Sequence, residues 1–265
     1  MKIWNALLIS LVHFSSSAQN TLGPHLTALG GNGIAVRDVW AIQGNASAIT
    51  DVEKATVSVA YIKHLFSNEI STQAAVFVLP LDNNFVGAGY QQYGFSGYTE
   101  SKATFAYSRK FGPHLSIAIK GNYHQVKIPE YGSATAFSID AGALYKVDKF
   151  AFGVLISNPS RQKFVQSQVS SGIPTSVSVG ATYFASDKVL IAGYFVRDIQ
   201  KIADAGLGLE YKIMSILRLR GGFSVRQVKQ YAGFGLNFNK LNIDMATAYD
   251  ANLGYTPQIG LGYAF

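Results

Sequence analysis

The chain has 265 residues, of which 48% are hydrophobic and only 14% charged, with 26 glycines, 15 tyrosines, 17 phenylalanines and no cysteine. A soluble domain of this size carries about 25% charged residues, and the lack of cysteine excludes disulfides and thiolate metal sites and leaves nothing to lipidate. The formal charge of +7, or +6 without Lys2, is scattered and forms no basic stripe, which argues against nucleic acid as a partner.

Met1 to Ala18 reads as a secretory signal. Lys2 supplies the positive end, Ala6 to Phe14 an apolar stretch too short to span a bilayer as a helix, and Ser16-Ser17-Ala18 a small-residue cleavage site. Residues 19–51 have a different character from everything after them. They contain Gly30-Gly31-Asn32-Gly33, then Asp38-Val39-Trp40-Ala41, then Gly44-Asn45-Ala46-Ser47-Ala48. Strand alternation is poor here, and the glycines permit tight backbone turns. A phosphate-cradling loop would need a lysine and a Ser/Thr that are absent. The expectation is a short segment that packs into the periplasmic mouth of a barrel.

Residues 52–265 read as repeated hairpins, with strands near 54–63, 69–79, 85–94, 99–110, 114–126, 134–146, 149–157, 174–185, 188–198, 203–212, 216–226, 230–238, 241–250 and 255–265. The expected fold is all-β, a 14-stranded antiparallel transmembrane barrel in the outer membrane. An even strand count brings both chain ends to one rim. Tight turns are predicted at Leu81-Asp82-Asn83, Phe111-Gly112-Pro113, Val147-Asp148, Ser186-Asp187, Ile213-Met214 and Asn239-Lys240, at every second junction. The longest of the other connections, Asn158 to Gly172, would lie outside.

Several strands show two faces. Leu115, Ile117, Ile119 and Tyr123 oppose Ser116, Ala118, Lys120 and Asn122, while Leu217, Leu219, Phe223 and Val225 oppose Arg218, Arg220, Ser224 and Arg226. An arginine facing lipid at the midplane costs about 2–4 kcal/mol, so the arginines are predicted to point inward. There Glu210 and Asp244 are available to pair with Arg218 and Arg220, and the turn at Ile213-Met214 is expected to set Glu210 beside Arg218. The last strand carries Tyr255, Ile259, Leu261, Tyr263 and Phe265 on one parity against Thr256, Gln258, Gly260, Gly262 and Ala264 on the other. Tyr263 and the terminal Phe265 form an aromatic barrel-closing end next to the first strand.

Catalysis gains little support. His25, His64, His114 and His124 are dispersed and read as isolated rim residues, no Gly-x-Ser-x-Gly elbow or His-Glu-x-x-His motif occurs, and no cofactor is expected.

Leu29-Gly30-Gly31-Asn32-Gly33-Ile34-Ala35-Val36, followed by Asp38, Trp40 and Asn45-Ala46-Ser47-Ala48, resembles the N-terminal segment of the FadL-type superfamily of fourteen-stranded barrels. In character the chain is similar to the PorV- and PorQ-like members associated with type IX secretion. The resemblance implies that Gly30, Gly31, Asn32, Gly33, Asp38, Trp40 and Asn45 form a hatch inside the lumen. Ala46 departs from the family pattern, where a proline is usual. Two functions follow from the resemblance: an accessory subunit of a secretion or envelope-assembly machine, with protein partners in a membrane complex, or a passive transporter of a hydrophobic ligand. The compact loops favour the first, with outer-membrane lipid around the wall and residues 161–169 as a docking loop.

Overall fold

The computed structural model describes residues 21–64, 69–130, 132–164, 172–199, 202–226 and 228–265. The signal expected over Met1 to Ala18 and most of the outer docking loop lie outside the described residues. The wall consists of fourteen strands. The first seven are β1 (Thr56–Lys63), β2 (Ser71–Leu81), β3 (Asn84–Phe95), β4 (Tyr98–Phe111), β5 (Leu115–Ile128), β6 (Gly132–Val147) and β7 (Phe150–Ser157). The rest are β8 (Ser176–Ser186), β9 (Val189–Asp198), β10 (Ala203–Lys212), β11 (Leu217–Ser224), β12 (Lys229–Phe238), β13 (Leu241–Asp250) and β14 (Gly254–Ala264).

Each strand pairs antiparallel with its sequence neighbours, and β14 returns to β1 from Thr56↔Ala264 to Ile62↔Gln258, closing the barrel. Closure satisfies every ladder group without leaving an edge, the condition for strands to cross a bilayer. The period-2 side-chain alternation then separates two surfaces. Outward, Phe105 is 60% exposed, Ile119 56% and Phe137 54%, values that suit a lipid-facing wall and no aqueous one. Inward, Thr104, Ser108, Ser116, Lys120 and Asn122 are buried. Tight turns follow β2, β4, β6, β8 and β12, on the rim where β1 begins and β14 ends, the pattern that marks the periplasmic side in outer-membrane barrels.

Two expectations about β11 are corrected. The strand stops at Ser224, so Arg226 lies in the following turn rather than on the inner face. The connection after β10 runs from Ile213 to Ile216, longer than a two-residue turn, with the Ile213 amide bonded to the Leu217 carbonyl. That length sets the register at Glu210↔Arg220 and Lys212↔Arg218, so Arg220 and not Arg218 stands opposite Glu210.

Residues 21–51 lie within this wall as α1 (Gly23–Ala28) and two short 3-10 helices, Val39–Gln43 and Ala46–Asp51. Most of their side chains are buried, Leu26, Leu29, Ile42 and Ile49 completely. α1 lies against β12, β13 and β14, the first 3-10 helix against β1, β2 and β3, and the second against β4, β5 and β6. The segment therefore touches opposite sides of the lumen. The wall leaves room for it: a Cβ on Gly208 would fall on the Leu29 carbonyl, and one on Gly222 on the Gly30 amide. Gly30 and Gly31 turn the chain there at φ +75° and +82°, a backbone region that side chains disfavour.

Replacement of the outward Ile119 by arginine is expected to lower the unfolding free energy by about 2–4 kcal/mol. Denaturant titration in lipid vesicles checks this, and an unchanged midpoint would contradict the lipid-facing assignment of that parity.

Candidate functional site

The 3-10 helices begin on side-chain caps. Asp38 Oδ1 accepts from the Trp40 amide at 2.8 Å, and Asn45 Oδ1 accepts from the Ser47 amide at 3.2 Å and the Ser47 hydroxyl at 2.7 Å. Asn45 also donates through Nδ2 to the Ile34 carbonyl at 2.9 Å and to Ala143 of β6 at 3.1 Å, so one amide caps the helix and ties it to the wall. Ala46 is the first residue after this cap, a place where proline is tolerated because its amide is unused. The departure from the family pattern therefore leaves the cap geometry intact. Asn32 is buried and donates to the Leu29 carbonyl. A Cβ on Gly33 would meet Leu22 at 2.7 Å, and the Gly33 carbonyl accepts from the Asn45 amide.

Trp40 is 2% exposed and donates from Nε1 to Ser58 Oγ of β1 at 3.0 Å; the same hydroxyl donates to the Leu261 carbonyl of β14 at 3.1 Å. The indole is thus fixed at the seam where the barrel closes. At the end of that seam Phe265 donates its amide to the Ala55 carbonyl, its ring meets Tyr263 edge to face at 5.1 Å, and both rings face outward.

A chain of charges joins the inner segment to the wall. Arg220 Nε donates to Glu210 Oε2 at 2.6 Å and its NH1 to Asp244 Oδ1 at 2.5 Å. To reach β13 from β11 the guanidinium passes over β12 at Gly235, where an added Cβ would meet Arg220 at 2.6 Å. Glu210 Oε2 lies 3.2 Å from His25 Nε2, and His25 Nδ1 lies 2.7 Å from Asp38 Oδ2. His25 is therefore no isolated rim residue; it was unreadable as a partner because Glu210 is remote in sequence. Burial and Arg220 push the imidazole pKa down, but Asp38 and Glu210 more than offset them and raise it to about 9. Burial likewise opposes ionisation of Asp38, and the imidazolium overcomes this and holds its carboxyl below the usual range. Arg218 makes only a 3.9 Å contact with Glu210.

A second cluster, absent from the sequence expectations as a set, lies on the other side of the 3-10 helices. Lys120 Nζ is 3.2 Å from Asp140 Oδ2 and donates to the Gly44 carbonyl at 2.7 Å. Asn122 and the Asn158 amide also donate to Asp140 at 3.0 Å each. His124, expected at the rim, is buried with Nε2 3.0 Å from Ser138 Oγ. The one legible signal was charge and amide on the inward parity of β5.

Other solved barrels share this architecture. The CymD monoaromatic hydrocarbon channel superposes with a TM-score of 0.74 at 13% identity, covering 92% of this chain and 97% of its own. The toluene transporter TodX of Pseudomonas putida gives 0.69 at 12%, covering 91% and 96%, and a FadL homologue of Pseudomonas aeruginosa gives 0.64 at 12%, covering 92% and 98%. At these identities the likeness is one of fold. No functionally curated protein matches the sequence. The family described as type IX secretion system membrane protein PorP/SprF matches residues 64–258, whereas the sequence resemblance pointed to PorV- and PorQ-like barrels.

Truncating Arg220 to methionine leaves Asp244 without its cation and Glu210 with His25 alone, both largely shielded, and is expected to cost about 3–5 kcal/mol in a denaturant titration. The His25 contribution has the opposite sign from that of a depressed carboxylate. Because its pKa is raised from 6.5 to about 9, the stabilisation is complete below pH 6.5 and disappears as pH rises through about 9. Protease protection of residues 21–51, followed from pH 6 to pH 10, should fall across that alkaline window, and a His25→Phe variant should lack the step.

Proposed function

Because the chain belongs to the PorP/SprF family of type IX secretion system membrane proteins, we propose that it is a non-enzymatic outer-membrane subunit of that machine, with its lumen stoppered by residues 21–51. The reading rests above all on one observation: residues of this segment bond to the wall at well-separated strands, Trp40 to the Ser58 hydroxyl of β1 and Asn45 to the Ala143 carbonyl of β6. A conduit for hydrophobic compounds needs a continuous apolar path. Here the lumen beside the segment carries Glu210, Arg220 and Asp244 on one wall and Lys120 and Asp140 on another. The apolar depressions of about 470 and 570 Å³ among the described residues include outward side chains such as Tyr61, Ile259, Phe152 and Phe195, which places them toward lipid. In this reading Gly30, Gly31, Asn32, Gly33, Asp38, Trp40 and Asn45 serve to seat the stopper, and the barrel contributes surfaces to partners instead of a pore.

Affinity isolation from gently solubilised native membranes, followed by mass spectrometry, is expected to recover the chain in a larger assembly with other secretion components. Recovery of a lone monomer under every mild condition would overturn the proposal. Uptake of hydrophobic compounds by a deletion strain is expected to match that of its parent, whereas a clear defect would favour the transporter reading.

A further inference from the structure

On the tight-turn rim the lumen opens into a cup of about 490 Å³, within the size range of small-ligand sites. One side of this cup is rich in cations. Lys212 and Arg218 are direct cross-strand partners on β10 and β11, and the Lys212 amide donates to the Lys188 carbonyl in the β8–β9 turn, so three positive side chains sit on adjoining turns. Like charges opposite one another in a ladder are destabilising.

Nearby acids do not relieve the repulsion. Glu210 is already held by Arg220 at 2.6 Å and His25 at 3.2 Å, which leaves Arg218 at 3.9 Å. Asp51 is taken by Arg37 and Lys146 at 2.5 Å each, with Lys110 at 3.9 Å. Glu53 and Asp187 border the cup, yet among the described residues neither forms an ion pair with Lys188 or Lys212 within 4.0 Å. Lipid headgroups cannot answer these charges, because Lys212 and Arg218 are on the inward parity; the outward neighbours Tyr211 and Leu219 are the ones exposed to the bilayer side. A further anion reaches Lys212 and Arg218 through the open mouth of the cup.

We propose that the cup binds an acidic peptide segment of a periplasmic partner, with carboxylates held by Lys188, Lys212 and Arg218. A peptide suits the site better than a single small anion, because the cations are spread over two turns around a space large enough for several side chains. The inference deepens the proposed role as a partner subunit by naming the chemistry of one partner contact. Binding by the isolated barrel is independent of whether a larger assembly is recovered from membranes, so the two can fail separately.

The test uses the purified full barrel in nanodiscs and a short fluorescent peptide of aspartate and glutamate, with a lysine peptide of equal length and inorganic phosphate as comparisons. Fluorescence anisotropy should show the acidic peptide binding and the lysine peptide not. Affinity should fall about tenfold or more in a Lys188→Gln/Lys212→Gln variant and weaken steeply with added salt. A Lys188→Glu/Lys212→Glu variant should exchange the preference and bind the lysine peptide, a gain that misfolding cannot mimic. Equal affinity in wild type and the glutamine variant, absence of acidic-peptide binding, or displacement by phosphate at a concentration equal to the peptide's would each overturn the proposal.

Discussion

Ladder pairing of β14 with β1 leaves no strand edge in the bilayer, and fourteen strands enclose more room than their own small inward side chains fill, which leaves space in the lumen for further chain. Residues 21–51 fill that space with a mostly apolar core of Leu26, Leu29, Ile42 and Ile49. Their polar backbone is met from the wall: Ser108 bonds to the Ala46 carbonyl and Lys120 to the Gly44 carbonyl. The inward alternation of small and polar residues is thus a negative of the segment it surrounds. Gly208 and Gly222 admit backbone, Gly235 admits a guanidinium, and Ser108, Ser116 and Ser58 bond to the Ala46 carbonyl, the Thr50 hydroxyl and the Trp40 indole.

The charged groups follow the same logic. Arg220 is buried among three strands and is tolerable only because Glu210 and Asp244 flank it. His25 extends this line into the inner segment, so that a single array of alternating sign runs from β13 to Asp38. Lys120 and Asp140 make a corresponding anchor on the facing wall. Apolar burial fills the middle, and ionic contacts fix the segment at its flanks.

Much of the barrel was legible because the bilayer enforces a period of two. Ile117 and Ile119 against Ser116 and Lys120 leave one choice of which face meets lipid, and the turn residues at Asp82-Asn83 and Asn239-Lys240 mark where the chain reverses. Which of the two arginines stands opposite Glu210 was not legible: register depends on the length of a connection, and Ile213 to Ile216 contains no strong turn residue to declare it. His25 and His124 were misplaced for related reasons: Glu210 is remote from His25 in sequence, and Ser138 becomes a diagonal neighbour of His124 only once the register of β5 against β6 is set. The glycines and Asn45 of the inner segment stood out by composition, but the wall groups that receive them could be found only in three dimensions.

The seat of Trp40 has a consequence for the order in which the protein forms. Its indole is fixed by a hydroxyl on β1 that itself leans on the Leu261 carbonyl of β14, a contact across 203 positions of sequence. The pair of bonds is complete only once β14 has paired with β1. Contacts separated so widely form late because the intervening chain has to be closed first. The seat of Trp40 is completed by the same pairing that closes the barrel, so a chain still open at that seam is also one in which this indole lacks its full support.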